Sequence, residues 1–245
     1  FTLGYDITLC GQNVSNFMNA FEYCEQVELD DLALKIQSPL TPIEESGSPL
    51  ISLKDCGFNL IYEPSIKKDY KYFVREEIVE KIGRISKSLE DLDKRLIIRS
   101  AWRSFDHQRM IWENQRAFLS KEHPEKTSHE LDVLVSHFIA PSEKSMHSTG
   151  GAVDGLIYDL ETDSVMDFGT NKGLKIDLNE RCFPYHPDIS HEAKKNRQLL
   201  IGLFEAQGFV CDTKEYWHFD YGNVVWATKK GRRFAFYDIV KRLNE

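Results

Sequence analysis

Asp154 constrains this chain more than any other residue. It is a carboxylate set inside the apolar run Gly151-Ala152-Val153-Asp154-Gly155-Leu156-Ile157-Tyr158. A run of that composition predicts a strand buried in the body of a fold. A carboxylate carried into such a strand is costly unless something compensates its charge, and a metal ion is one candidate. Glu161-Thr162-Asp163 then reads as a turn, and Ser164 to Phe168 as the returning strand of a hairpin.

Two segments hold the residues that could complete such a site. Ser145-Met146-His147-Ser148-Thr149-Gly150-Gly151 leads into the Asp154 strand, and Glu215-Tyr216-Trp217-His218-Phe219-Asp220-Tyr221-Gly222 lies further on. A catalytic zinc takes three N or O ligands and keeps one position open. Two imidazoles and a carboxylate meet that need. His147 would sit in a turn, Gly150-Gly151 would let the chain bend sharply, and His218 would arrive from a neighbouring strand. Glu215 lies three residues before His218, which on a continuous strand puts the two on opposite faces. It reaches the same site only if a turn or bulge separates them; it could then exchange protons with a water there. Spacing alone leaves blander readings open. His107, His123, His129, His137, His186 and His191 read as ordinary core or surface histidines. Trp217 and Phe219 read as core or pocket wall, and Arg103 as a surface arginine.

The rest of the chain reads as one domain of 245 residues, with an irregular N-terminal wrap over residues 1–50 and a core over 51–245. Helices are expected from Tyr72 to about Leu92, Asp106 to Leu119, Ser128 to Phe138, His191 to Gln207 and Phe234 to Leu243. Gly208 is placed to stop the fourth. Strands are expected at Arg95–Ala101, Phe209-Val210 and Tyr216–Tyr221. Helices with antiparallel hairpins and no βαβ rhythm imply an α+β fold. A net charge of −8 argues against a nucleic-acid partner. No apolar run reaches the ~18–20 residues of a membrane span. The five cysteines form no CxxC pair; single thiols are the simplest reading, with one or two disulfides in the chain, for instance one among Cys10, Cys24 and Cys56, as the alternative. The chain opens on Phe1, so a removed signal peptide, a tag or a leader is expected upstream.

The two segments carry a resemblance. Ser145, His147, Gly150, Ala152 and Asp154 fit Ser-x-His-x-x-Gly-x-Ala-x-Asp, and Glu215, Trp217 and His218 fit Glu-x-Trp-His. Together they resemble the VanX-like D-alanyl-D-alanine dipeptidases and the related D,D-carboxypeptidases. Phe73-Val74-Arg75 at the opening of a helix, Trp102-Arg103, Met166-Asp167-Phe168-Gly169-Thr170 and Asn196-Arg197 extend the likeness over about residues 56–230. The resemblance implies a small twisted antiparallel sheet flanked by helices, shared with the Hedgehog signalling domain. It implies one Zn2+ per chain on His147, Asp154 and His218, Glu215 as general base, and Arg103 stabilising the charged intermediate. Ser145, Asp177 and Trp217 are the expected substrate-binding residues. The implied substrate is D-Ala-D-Ala in bacterial peptidoglycan metabolism or glycopeptide resistance, in the periplasm or the cytoplasm. A D,D- or L,D-carboxypeptidase acting on longer stem peptides is the alternative, and a non-catalytic zinc-bearing binding module a third. The chain departs from the family at Ser104, where proline is usual, at Thr149, often arginine, and over 171–177, where a shift is needed to bring Asp177 into register. Residues 121–144 are longer than usual.

Overall fold

In the computed structural model, which describes residues 19–243, helix α1 (Ala20–Gln37) is followed by β1 (Leu50–Ser52), β2 (Ile61–Tyr62) and β3 (Phe73–Arg75). Then come α2 (Glu76–Glu90), β4 (Lys94–Ser100), α3 (Phe105–Glu122) and α4 (Ser128–Ser136). β5 (Ala152–Asp159) and β6 (Ser164–Val165) form the expected hairpin, and β7 (Asn171–Lys172) with β8 (Lys175–Ile176) a second one. α5 (His191–Ala206), β9 (Val210–Cys211), β10 (His218–Asp220) and α6 (Val224–Lys229) complete an α+β fold. Among the described residues no helix is long and apolar enough to cross a membrane.

The main sheet runs β2-β4-β5-β10-β9, with β6 on β5. One face is apolar. Ile78, Ile82, Ile85 and Leu89 recur along α2 at three- and four-residue steps and are almost wholly buried. Leu200, Ile201 and Phe204 of α5 join them. Phe204 stacks on Phe219 of β10 with ring centroids 3.8 Å apart, and the missing side chain of Gly155 leaves room for the same ring. Side chains alternate along a strand. Since Gly155 and Phe219 face α5, their neighbours Asp154, His218 and Asp220 face the other way. The fold thus sorts β5 and β10 into an apolar side that binds helices and a polar side that carries chemistry.

Four expectations are corrected. The N-terminal fifty residues are not irregular throughout: 20–37 form α1, with a capping box between Asn19 and Glu22. Its mixed sequence has no strong periodicity, which hid it. Residues 1–18, with Cys10, lie outside the described residues; Cys24, Cys56, Cys182 and Cys211 are free thiols. Phe73–Arg75 does not open a helix but pairs as β3 with β1, and α2 starts only at Glu76. β2 adds to β4 in parallel, so the sheet is not purely antiparallel; a two-residue edge strand leaves no pattern to read.

The C-terminal segment 234–243 is not helical. Its backbone donors are taken by distant carbonyls: Ala235 by Pro42, Phe236 and Tyr237 by Gly222, and Val240 by Ser148. Trp102 Nε1 in turn donates to the Val240 carbonyl. The tail is a strap across the molecule, and tertiary hydrogen bonds outcompete local helix formation there.

Arg197 is the main polar anchor of the core. It is buried on α5 and donates to the carbonyls of Phe168, Arg181 and Phe183, with its guanidinium 4.1 Å from the Tyr216 ring centroid. It ties together the loops after β6 and before α5 without any carboxylate. Arg197→Met would orphan these buried carbonyls. It is expected to cost about 3 kcal/mol or more, seen as a fall in Tm of about 6 °C or more; an unchanged Tm would refute that role.

Candidate metal centre

The site is assembled by strand register. His218 pairs with Asp154 across β10 and β5, and Ser100 pairs with Asp154 across β4 and β5 after a register shift between Ile98 and Ser100. His147 comes from a 3-10 turn at Met146–Thr149. That turn ends in Gly150 at φ 74°, and a side chain on Gly151 would lie 2.3 Å from the Tyr221 carbonyl oxygen. The turn is also held from outside: Arg75 Nε donates to the Thr149 carbonyl, and its other nitrogens to Ser48, Glu45 and Asp238.

His147, Asp154 and His218 are all buried, and each offers one ligand atom within 4.8 Å of the others. Each imidazole has one nitrogen anchored and one facing the cluster. His147 Nδ1 lies 2.8 Å from the Ala101 carbonyl oxygen, which can only accept, so this nitrogen carries the proton. Nε2 then sits 3.3 Å from Asp154 Oδ2. Burial, reinforced by Arg103, pushes the His147 pKa down to about 4, so at neutral pH Nε2 presents a lone pair to a carboxylate oxygen. Two acceptors at that distance call for a cation between them. His218 Nδ1 lies 3.0 Å from Asp154 Oδ1, and Nε2 is 3.3 Å from Asp220 Oδ1. Burial works against a proton on His218, but Asp220 and then Asp154 outweigh it and hold its pKa well above the ordinary value. Burial alone would raise Asp154; the hydrogen bond with His218 and the charge of Arg103 carry it well below the usual carboxylate range. The donor set, two nitrogens and a carboxylate with their outer nitrogens fixed, fits a zinc ion.

The expected residues fall into place unevenly. Glu215 reaches the cluster because β10 begins only at His218. Residues 215–217 form a turn in which the His218 N–H donates to the Glu215 carbonyl at 3.1 Å. Glu215 Oε2 lies 4.0 Å from His218 Nδ1. Burial, with Asp212 nearby, pushes its pKa up to about 8. Arg103 donates from Nη2 to Asp154 Oδ2 at 2.8 Å. Ser145 is buried just before the His147 turn. Trp217 is buried beside Tyr216, with the Arg99 guanidinium 5.8 Å from its ring centroid. Asp177 is not brought to the cluster: it is exposed, 3.8 Å from Lys175 Nζ. The six histidines read as ordinary stay outside the metal-ligand set.

Asp220 was missed. It is two residues after His218, hence on the same face of β10, and it receives Asn223 Nδ2 at 2.7 Å. Asn223 in turn caps α6 through the Trp226 N–H. A carboxylate at i+2 from a strand histidine was the available signal. Gln108 was missed too; it is buried on α3 and accepts from Arg103 Nη1 at 3.1 Å.

Residues 61–234 match the family model Peptidase_M15, described as D-ala-D-ala dipeptidase. A D-alanyl-D-alanine dipeptidase of Escherichia coli K12 is 30% identical over 125 residues, 51% of this chain and 54% of that protein. The chain therefore spans about half the length of that relative. A D-alanyl-D-alanine dipeptidase of Synechocystis is 22% identical over 227 residues, 78% of this chain and 89% of its own length. Among solved structures, a vancomycin resistance D,D-pentapeptidase VanY mutant in complex with Zn(II) aligns with a TM-score of 0.45 at 15% identity, covering 77% of this chain and 86% of its own.

Because the Tyr221 carbonyl blocks a side chain at Gly151, Gly151→Ala is expected to cost about 1–3 kcal/mol. Thermal unfolding would show this as a Tm lower by about 2 °C or more. An unchanged Tm would mean that the turn carrying His147 relaxes freely.

Proposed function

The chain belongs to the D-Ala-D-Ala dipeptidase family of M15 peptidases, and on that premise we propose that it is a zinc peptidase that hydrolyses D-Ala-D-Ala. The observation that carries this reading is the apposition of His147 Nε2 and Asp154 Oδ2 at 3.3 Å, with His218 Nδ1 3.0 Å from the other carboxylate oxygen. His147 Nε2, His218 Nδ1 and Asp154 would hold the metal. When bound, zinc supplies Lewis acidity to a carbonyl oxygen and to a water.

The protein's own groups do the rest. Glu215 lies 4.0 Å from His218 Nδ1, beyond Asp154 and Asp220, and has a proton affinity high enough to take a proton from the attacking water and return it to the leaving amine. A dication beside it favours its ionised form before the reaction. Arg103 has five N–H donors, of which three are used by Ser100, Gln108 and Asp154. Two are left to bond the oxyanion of a tetrahedral intermediate. Asp220 and the Ala101 carbonyl fix the ring planes of His218 and His147, so that both lone pairs stay aimed at one point.

A second reading keeps the chemistry and changes the substrate to a longer stem peptide, making the protein a D,D- or L,D-carboxypeptidase. Its support is the position of Asp177. An acidic group reading the free ammonium of a dipeptide has to lie close to the metal, and Asp177 faces solvent and Lys175. A cleft between α1 and α4 that reaches Lys214, the residue before Glu215, could receive additional residues of a stem.

The deciding assay compares hydrolysis of D-Ala-D-Ala with that of an N-acetylated D-Ala-D-Ala peptide, with and without a chelator. Cleavage of the free dipeptide alone, abolished by the chelator, is the expected result; cleavage of the blocked peptide alone would transfer the assignment to the carboxypeptidase. Glu215→Ala is expected to keep zinc and lose activity by at least about a hundredfold. Near-normal turnover in that variant would remove Glu215 from the mechanism.

Zinc affinity should depend on pH in a defined direction. In the metal-free protein His218 holds its proton to well above the ordinary imidazole value, and a ligand nitrogen must be deprotonated. Zinc therefore displaces that proton at neutral pH, whereas His147 is already neutral. Affinity should rise with pH by about tenfold per unit while one proton is displaced. Calorimetric titration between about pH 6 and 7 would show the slope; a flat profile would contradict the proton on His218.

A further inference from the structure

We propose that Ser100 and Gln108 are positioning residues that, beside the Asp154 ion pair, orient Arg103 through neutral acceptors, so that two of its N–H donors stay available to an oxyanion. The inference rests on the reading of Arg103 as the oxyanion-binding group and adds to it the parts that make that arginine work.

The geometry is specific. Arg103 Nε donates to Ser100 Oγ at 2.7 Å, and Nη1 to Gln108 Oε1 at 3.1 Å. The orientation of the Gln108 amide is itself determined. Its Nε2 donates to the Ala140 carbonyl at 2.7 Å, which an oxygen in that place could not do, so Oε1 is the atom turned toward the guanidinium. Ser100 is backed by Tyr70, whose hydroxyl lies 3.3 Å from Ser100 Oγ and accepts from the Ala101 N–H at 2.8 Å. Ser100, Gln108 and Tyr70 are all buried. Each is placed by a different element: the end of β4, the first turn of α3 and the loop before β3. Two of these pieces hold the Arg103 side chain directly, and the third backs Ser100.

The chemistry of the holders matters as much as their number. Four residues earlier, on β4, Arg99 is held by a carboxylate, Glu63, at 2.5 and 3.3 Å, and by the Leu174 carbonyl. That arginine is neutralised by its partner. Arg103 also has an acidic partner, Asp154, but that carboxylate is shared with His218 and, on the proposed reading, with the metal; Ser100 and Gln108 carry no charge, so they fix the Arg103 fork without adding a second acid to it. An arginine stem that is free to rotate would lose its ordering entropy in each catalytic cycle. One locked beforehand does not, and such preorganisation is the main source of oxyanion stabilisation.

The test uses the zinc-loaded enzyme and two probes: the cleaved form of D-Ala-D-Ala, free or N-acetylated, and its phosphinate analogue, whose tetrahedral phosphorus carries oxyanions. Arg103→Lys checks the underlying reading. It should lower kcat and weaken the phosphinate by about a hundredfold. If it does neither, the role of Arg103 fails, and this inference with it. Gln108→Met and Ser100→Ala should each lower kcat and weaken phosphinate binding by about tenfold or more. KM and zinc affinity should stay within about twofold if both residues act through Arg103 alone; a larger rise in KM would mean direct substrate contact and overturn the positioning role. In the Arg103→Lys background the same two changes should have no further effect on kcat. If Arg103→Lys behaves as stated but Gln108→Met and Ser100→Ala leave kcat intact, the positioning role is overturned. Full additivity in the double variants overturns it as well, since the residues would then act by another route. Ser100→Ala removes one atom from the core, so a failure of Gln108→Met to fold would still leave the question decided by Ser100.

Discussion

A single buried carboxylate organises this protein. Asp154 sits among apolar neighbours on the central strand, where an isolated charge would be costly. The protonated His218 and the Arg103 guanidinium compensate it at 3.0 and 2.8 Å, with His147 beside them. Everything that brings them there is a property of the sheet. The register of β5 with β10 delivers His218, the shift in β4 delivers Ser100 beside it, and the turn before β5 delivers His147. The apolar face of the same strands, packed on α2 and α5, supplies the burial that makes these charges act strongly on one another. The same pocket then separates two carboxylates. Asp154, paired with His218 and Arg103, loses its affinity for a proton, while Glu215, largely shielded from water and close to Asp212, gains it. Environments that drive two acids apart in this way suit one to hold a cation and the other to move protons.

The supports around this centre share a design. Arg75 and Arg197 are buried and donate mainly to backbone carbonyls of loops rather than to acids. Each converts irregular segments into fixed parts: Arg75 holds the His147 turn, residues 45–48 and the C-terminal strap, and Arg197 holds the loops beneath Tyr216. Loops that carry ligands have few local hydrogen bonds of their own, so such anchors decide how far they can move. A site proposed to present two lone pairs to one ion would tolerate little motion, and Arg75 anchors the turn that carries His147.

Much of the site was legible in the sequence because its signals are local. A carboxylate inside an apolar strand, two glycines behind a histidine, and Glu-x-Trp-His are readable without coordinates. The long helices α2 and α5 were legible for the same reason, since their apolar residues recur with the helical period. The misreadings have a common cause. α1 lacks a clear apolar stripe, β2 and β3 are too short to show alternation, and residues 234–243 have helical composition but give their hydrogen bonds to Pro42, Gly222 and Ser148. Distant partners decided each of these, and no local pattern records them.

The sequence by itself determined which groups could meet: the strand that buries Asp154, the two histidine segments and the nearby glutamate and arginine. Only the tertiary structure decided how they meet. It put a turn rather than a strand at 215–217, which brings Glu215 to the same ring nitrogen as Asp154. It placed Asp220 and the Ala101 carbonyl behind the imidazoles, and Ser100 and Gln108 behind Arg103, while leaving Asp177 in solvent. The physical reason is range. Strand burial and turn propensity are set by neighbours in the chain, whereas the direction of a hydrogen bond and the charge of its partner are set by neighbours in space.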